Sequence, residues 1–272
     1  MIKRTLSAIV LLPLLIFLII YGGLPLKIAV GIVSIMGMRE FYMAFSGKPR
    51  TEHIIGYIFA VIYMVFTNQI IFGNNIFNIF SAAFILCMLI YLVLFHSKTN
   101  IEEIFITLFG FFYVCFLLSH VCLTRDFTNG KFFVWLIFLC AYGCDTGAYL
   151  IGITFGRHKL IPALSPKKSV EGAIGGVVVA TALCMIFGII VESRFTIEYI
   201  NTPLFCALTG LIGSVLSQFG DLSASAMKRY TGIKDFGNLI PGHGGILDRF
   251  DSVLFTAPAV YYLMILLSEI QL

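Results

Sequence analysis

The sequence predicts an all-α, polytopic integral membrane protein of about nine transmembrane helices with its N-terminus in the cytoplasm. Three observations predict it. Of the 272 residues 59% are hydrophobic and only 12% charged, with a mean hydropathy of +0.98, which is more apolar surface than a soluble fold can hide. Apolar runs long enough to cross the hydrocarbon recur from one end of the chain to the other. The basic residues are distributed asymmetrically between alternate loops, as cytoplasmic retention of positive charge requires.

Taken in order, the runs place spans near residues 5–22, 25–45, 54–72, 76–95, 104–124, 132–154, 172–191, 201–220 and 252–268. The first follows Lys3-Arg4. It is uncharged for longer than the apolar part of a signal peptide and lacks a small-x-small cleavage site, so a retained span is expected. Pro13 within it is tolerable in a membrane helix. The second carries Lys27, Arg39 and Glu40 toward its ends, and the sixth carries Asp145 near its middle. Gly73-Asn74-Asn75 divides a run too long for one crossing. With the N-terminus inside, only Lys27, Arg125, Lys131 and Arg194 of the 18 Lys and Arg fall on the outer side. Removing any one early span would spoil that asymmetry.

The chain divides into N-terminal transmembrane helices over 1–125, about five spans, and a C-terminal region over 126–272. The latter contains two cytoplasmic loops, 155–171 and 221–251, and is where chemistry is expected. The stretch from Gly220 to Asp251 holds 8 of the 32 charged residues, more than a connector needs. The net charge of +4 suits an anionic membrane surface or a phosphate-bearing substrate. No basic run or aromatic-studded basic patch points to nucleic acid. All seven cysteines lie in apolar stretches without a CxxC pair and read as small buried hydrophobes. His53, His96, His120 and His158 are isolated and read as structural or interfacial.

Helical spacing puts Asp221, Ser225 and Lys228 on one face, and Asp248, Asp251 and Ser252 on another. Two carboxylate pairs facing one interface can hold Mg²⁺, a hard cation that takes oxygen ligands and keeps positions for substrate phosphates. Lys228, Arg229, Lys234 and Arg249 lie between them to meet phosphate charge, which makes a site matched to a nucleoside triphosphate. Pro241-Gly242-His243-Gly244-Gly245 is either a flexible turn or a loop whose backbone N–H groups approach anionic oxygens. Asp145 reads as a functional group because an ionisable side chain within a span is costly; its structural alternative is an ion pair with a lysine of a neighbouring helix. Lys167 and Lys168 are either phosphate binders or ordinary cytoplasmic charges. The Gly172-xxx-Gly176 spacing reads as helix packing and is compatible with a homodimer.

The 27 residues from Ser225-Ala226-Met227-Lys228-Arg229 through Lys234-Asp235-Phe236-Gly237 to Ile240-Pro241-Gly242-His243-Gly244-Gly245-Ile246-Leu247-Asp248-Arg249-Phe250-Asp251 resemble the signature of the phosphatidate cytidylyltransferases, or CDP-diacylglycerol synthases. The segments around Asp145 and over 165–172 are also similar to that family. The resemblance implies transfer of CMP from CTP to phosphatidic acid, giving CDP-diacylglycerol and pyrophosphate in phospholipid biosynthesis, in a bacterial cell membrane with the site facing the cytoplasm. It implies Mg²⁺, with room for a second metal ion, on Asp221, Asp248 and Asp251, with Asp145 a further ligand. Lys228, Arg229 and His243 join the aspartates in catalysis; Lys167, Lys168, Ser169, Lys234, Arg249, Gly244 and Gly245 bind phosphate. Two positions depart from the family pattern: Ala224 stands where a Glu is usual, and Ser169 where a Thr is common. A secondary transporter is the alternative from another class, but the chain lacks two related halves; a different lipid nucleotidyl or phosphoryl transferase, such as a prenol kinase, is the nearer one.

Overall fold

The computed structural model describes residues 13–73, 75–195, 201–239 and 244–270. Among them are seven helices long and apolar enough to cross a membrane, so the chain is an all-α polytopic membrane protein. Residues 13–21 are helical and are followed by α1 (Gly23–Ser46), α2 (Thr51–Val65), α3 (Thr67–Phe72), α4 (Ile76–Leu94) and α5 (Ile101–Asp126). Next come α6 (Gly130–Phe155), the strands β1 (Lys159–Ile161) and β2 (Ser165–Ser169), α7 (Val170–Arg194), α8 (Thr202–Thr231) and α9 (Leu247–Ile270). Seven of the nine expected spans correspond to α1 and α4 to α9. The expected first span begins outside the described residues.

The expected span over 54–72 is two helices. The break falls at Phe66, where the backbone leaves helical geometry (φ −106°, ψ 23°). Thr67, fully buried, donates its hydroxyl to Tyr63 O at 2.7 Å and Met64 O at 3.0 Å. Such back-bonding competes with the helical ladder and bends it, which an average over hydropathy does not register. Helix α5 carries a π-helical turn at Phe111–Phe116. The wider turn belongs to an aromatic cluster in which the ring of Phe111 lies 5.1 Å from Phe84 and 5.6 Å from Tyr63.

The chain forms two compact units. One comprises Met1–Leu123 with Ile233–Arg249, the other Thr124–Gly232 with Phe250–Leu272. In the first, the ends of α1, α2 and α5 are joined by a buried polar network. Glu103 pairs with Arg50 at 2.9 Å and accepts from Ser46 Oγ at 2.5 Å, Glu52 accepts from Thr99 Oγ1 at 2.8 Å, and His53 stacks on Tyr42. With Glu52, His53 and Glu103 each at 5% exposure or less, that pairing is what makes their burial tolerable.

In the second unit α6, α7 and α8 pack through small residues, as helices in lipid must when hydrophobicity cannot drive them together. A Cβ on Gly176 would meet Cys144 O at 2.7 Å, and one on Gly172 would meet Ala148 O at 2.8 Å. The Gly172–Gly176 spacing is therefore occupied by the packing of α7 on α6 within one chain. Cys140, Cys144, Cys184 and Cys206 are buried thiols that form no disulfide, as their apolar setting predicts.

The loop expected over 155–171 is largely a hairpin, the one sheet among the described residues. Strands β1 and β2 are antiparallel, with Lys159 opposite Ser169 and Ile161 opposite Ser165. The Glu171 carboxylate closes it, accepting from Arg157 N at 3.0 Å and pairing with His158 Nδ1 at 2.6 Å.

Candidate functional site

The residues singled out in the sequence are organised in two ways, one in each unit. In the second unit, the hairpin delivers Lys167 and Lys168 on β2 to a cleft of about 400 Å³. Its lining includes Asp145 and Tyr149 of α6, Ser169, Gly172 and Gln218. Lys168 forms an ion pair with Asp221 of α8, so a residue expected to bind phosphate and one expected to bind metal are each other's partners. Gln218, one turn before Asp221, donates Nε2 to Ala173 O at 2.9 Å and ties α8 to α7. Arg229 donates Nε to Leu164 O at 3.4 Å, holding the end of α8 to the hairpin.

Asp251 is 7% exposed, and its Oδ1 accepts from Ser252 N at 2.7 Å. The charges of Asp221, Asp145 and Lys228 all act on it. A glycine makes this convergence possible. A Cβ on Gly220 would meet Asp251 O at 2.6 Å and Ser252 Cα at 3.2 Å, so the bare backbone of α8 lets α9 approach at the residue preceding Asp221.

Ser169, expected at phosphate, caps α7: its Oγ accepts from Gly172 N at 3.1 Å. Thr at that position would cap in the same way. Ala224, where a family Glu is usual, is fully buried.

In the first unit residues 233–239 and 244–249 are tied in place by two carboxylates. Asp248 Oδ2 accepts from Phe236 N at 2.8 Å and Gly245 N at 3.0 Å, joining two stretches of the loop. Glu40, near the end of α1, accepts from Ile246 N at 3.0 Å and Leu247 N at 2.8 Å. It thus satisfies N–H groups that open α9 and have no intrahelical partner. Gly37, one turn earlier, admits Val114 and the side chain of Leu247 against α1. Gly244 has φ +82°, a conformation suited to glycine. Lys234, Asp235 and Arg249 are exposed. His243, with Ile240, Pro241 and Gly242, lies outside the described residues.

The family model described as the cytidylyltransferase family matches residues 2–267. The chain belongs to the cytidylyltransferase family. Among curated relatives it is 33% identical over 271 residues to a phosphatidate cytidylyltransferase of Bacillus subtilis (strain 168), covering 98% of each chain. It is 31% identical to that of Synechocystis sp. (strain ATCC 27184 / PCC 6803 / Kazusa), covering 97% of each, and 32% identical to that of Staphylococcus haemolyticus (strain JCSC1435), covering 96% of this chain and 98% of the relative.

For a cytidylyltransferase the second unit contains the appropriate donor chemistry. Asp145, Asp221 and Asp251 carry carboxylate oxygens on three helices, donors of the kind Mg²⁺ selects. Among the described residues no three His, Cys, Asp or Glu side chains are already gathered at metal-binding distance, and Lys168 supplies the local positive charge on Asp221. Glu40, which holds Ile246 and Leu247, is not among the residues that the sequence marks for chemistry. The Arg39-Glu40 pair inside an apolar run is a signal for it, since an ionisable group in a span needs a partner.

Proposed function

We propose that the chain is a membrane-embedded phosphatidate cytidylyltransferase, which transfers CMP from CTP to phosphatidic acid and releases pyrophosphate. The observation that carries the reading is the cleft of the second unit, where Lys167 and the Lys168–Asp221 ion pair stand beside Asp145. An adjoining apolar groove, lined by Leu160, Ile174, Val177, Val215, Phe219 and Leu222, shares Ala173 and Gln218 with that cleft. An anionic headgroup and an acyl chain therefore have neighbouring places.

Phosphatidic acid carries its own nucleophile. One of its phosphate oxygens attacks the α-phosphorus of CTP, the bond from that phosphorus to the β-phosphate oxygen breaks, and pyrophosphate leaves with the bonding electrons. No activated serine or cysteine is required. The protein has to bring two mutually repelling anions together and stabilise charge on the leaving group. Lys167 and Lys168 meet the phosphates, with Lys168 exchanging Asp221 for substrate; Lys228 and Arg229 at the end of α8 add positive charge. Asp221 and Asp251, with Asp145, would hold Mg²⁺, which when bound neutralises phosphate charge. Asp248 holds the loop that carries Gly244 and Gly245 toward the start of α9.

The reading includes nine crossings, a cytoplasmic N-terminus and a site on the cytoplasmic side of a bacterial cell membrane, supported by the excess of Lys and Arg in the inner loops. Labelled CTP and phosphatidic acid incubated with purified protein in detergent, with and without Mg²⁺, test it. CDP-diacylglycerol formed only with the metal, and lost in Lys168→Met, is expected; folded protein that makes no nucleotide-dependent product would overturn it.

A further inference from the structure

Glu40 and the loop it holds are 206 residues apart in sequence. Both carboxylate oxygens of Glu40 are engaged, one by Ile246 N and the other by Leu247 N. The same carboxylate fills the space above two glycines: a Cβ on Gly237 or Gly245 would run into its oxygens. Glu40 therefore contacts both stretches of the loop that Asp248 ties together, at Gly237 beside Phe236 and at Gly245 to Leu247. One carboxylate fixes where α9 begins, and through that where Asp248 stands.

We propose that Glu40 is a positioning residue for cytidylyl transfer, acting as the template on which the loop carrying Gly244, Gly245 and Asp248 is set. The inference rests on the transferase reading above. Its chemistry is specific. A neutral side chain there would leave N–H groups at the opening of α9 without a charged acceptor, and a shorter one would let the loop relax into the vacated space. Glycine at 237 and 245 follows from the carboxylate rather than from backbone conformation, because neither has positive φ.

The test is a double-mutant cycle in the full-length protein, with CTP and phosphatidic acid as substrates and wild-type turnover as the reference that establishes the reaction itself. Glu40→Ala lowers kcat on the order of 10²-fold, the scale of misplacing a site element by about 1 Å, while KM for phosphatidic acid stays near wild type. Gly245→Ala lowers kcat comparably, because its methyl group strikes Glu40. The combined variant is no worse than Glu40→Ala alone, because the obstruction is gone. Glu40→Gln, nearly isosteric, retains an acceptor and loses less than Glu40→Ala, which keeps the question answerable if Glu40→Ala does not fold. Multiplicative losses in the combined variant, or full kcat in folded Glu40→Gln and Glu40→Ala, would overturn the proposal. Absence of turnover in the wild type would instead overturn the transferase reading.

Discussion

The loop of the first unit and the cleft of the second are both organised by carboxylates, but the partners differ. Glu40 and Asp248 accept hydrogen bonds from backbone N–H groups, so neither can leave without loosening the loop. Asp221 is paired with the side chain of Lys168, a lysine at the wall of an open cleft, and neither group of that pair holds a backbone N–H in place. The difference separates carboxylates that hold backbone in place from one that holds a side-chain charge. In the second region Gly220 lets the backbone of α8 approach that of α9 at Asp251 and Ser252, a contact made without any charged group.

The comparison is challenged most strongly by Asp221→Asn. Removing the exchangeable charge while keeping the shape should lower turnover about 10²-fold or more, the scale of one lost electrostatic contact in a transition state, with the melting temperature unchanged. A turnover near wild type would remove Asp221 from the site. Gly220→Val comes next: its side chain would collide with the α9 backbone at Asp251, costing about 1–3 kcal/mol by overpacking and reducing turnover with stability. Denaturation in detergent micelles reads the first effect and the CTP assay the second.

Asp248 sharpens the contrast. Asp248→Asn retains an oxygen for Phe236 N and Gly245 N, so the loop stays closed to proteolysis even where loss of charge slows turnover. Asp248→Ala leaves both donors without that acceptor, at about 1–3 kcal/mol, and should expose residues 233–249 to cleavage. Equal protease sensitivity of the two variants would erase the distinction. The smallest effect is at Ser169: Ala there loses the cap of α7, about 1 kcal/mol, whereas Thr is neutral in thermal unfolding.

Much of this architecture is legible without coordinates. The expected spans over 25–45, 76–95, 104–124 and 132–154 lie within a few residues of α1, α4, α5 and α6, because hydropathy reports the length of chain that must be out of water. The break at Phe66 was hidden because it depends on where one buried threonine hydroxyl turns. The hairpin was hidden as well: Ser165-Pro166-Lys167-Lys168-Ser169 has no alternating apolar face, and its closure by Glu171 rests on a side chain from the following helix. Helix α8 runs to Thr231, well past the apolar stretch that ends near residue 220, so Asp221, Ser225 and Lys228 lie on one helix, as their spacing predicts, and the helix takes in the first part of the 221–251 segment.

The sequence by itself determined the membrane setting, most of its long apolar helices, the family and the set of charged residues available for phosphate and metal chemistry. These follow from properties that add along the chain or repeat within a signature. Only the tertiary structure decided that Lys168 pairs with Asp221, that Gly220 brings Asp251 beside it, and that Glu40 anchors the opening of α9. Each of those depends on distances between residues far apart in the chain, which composition and periodicity do not encode and which helix packing sets.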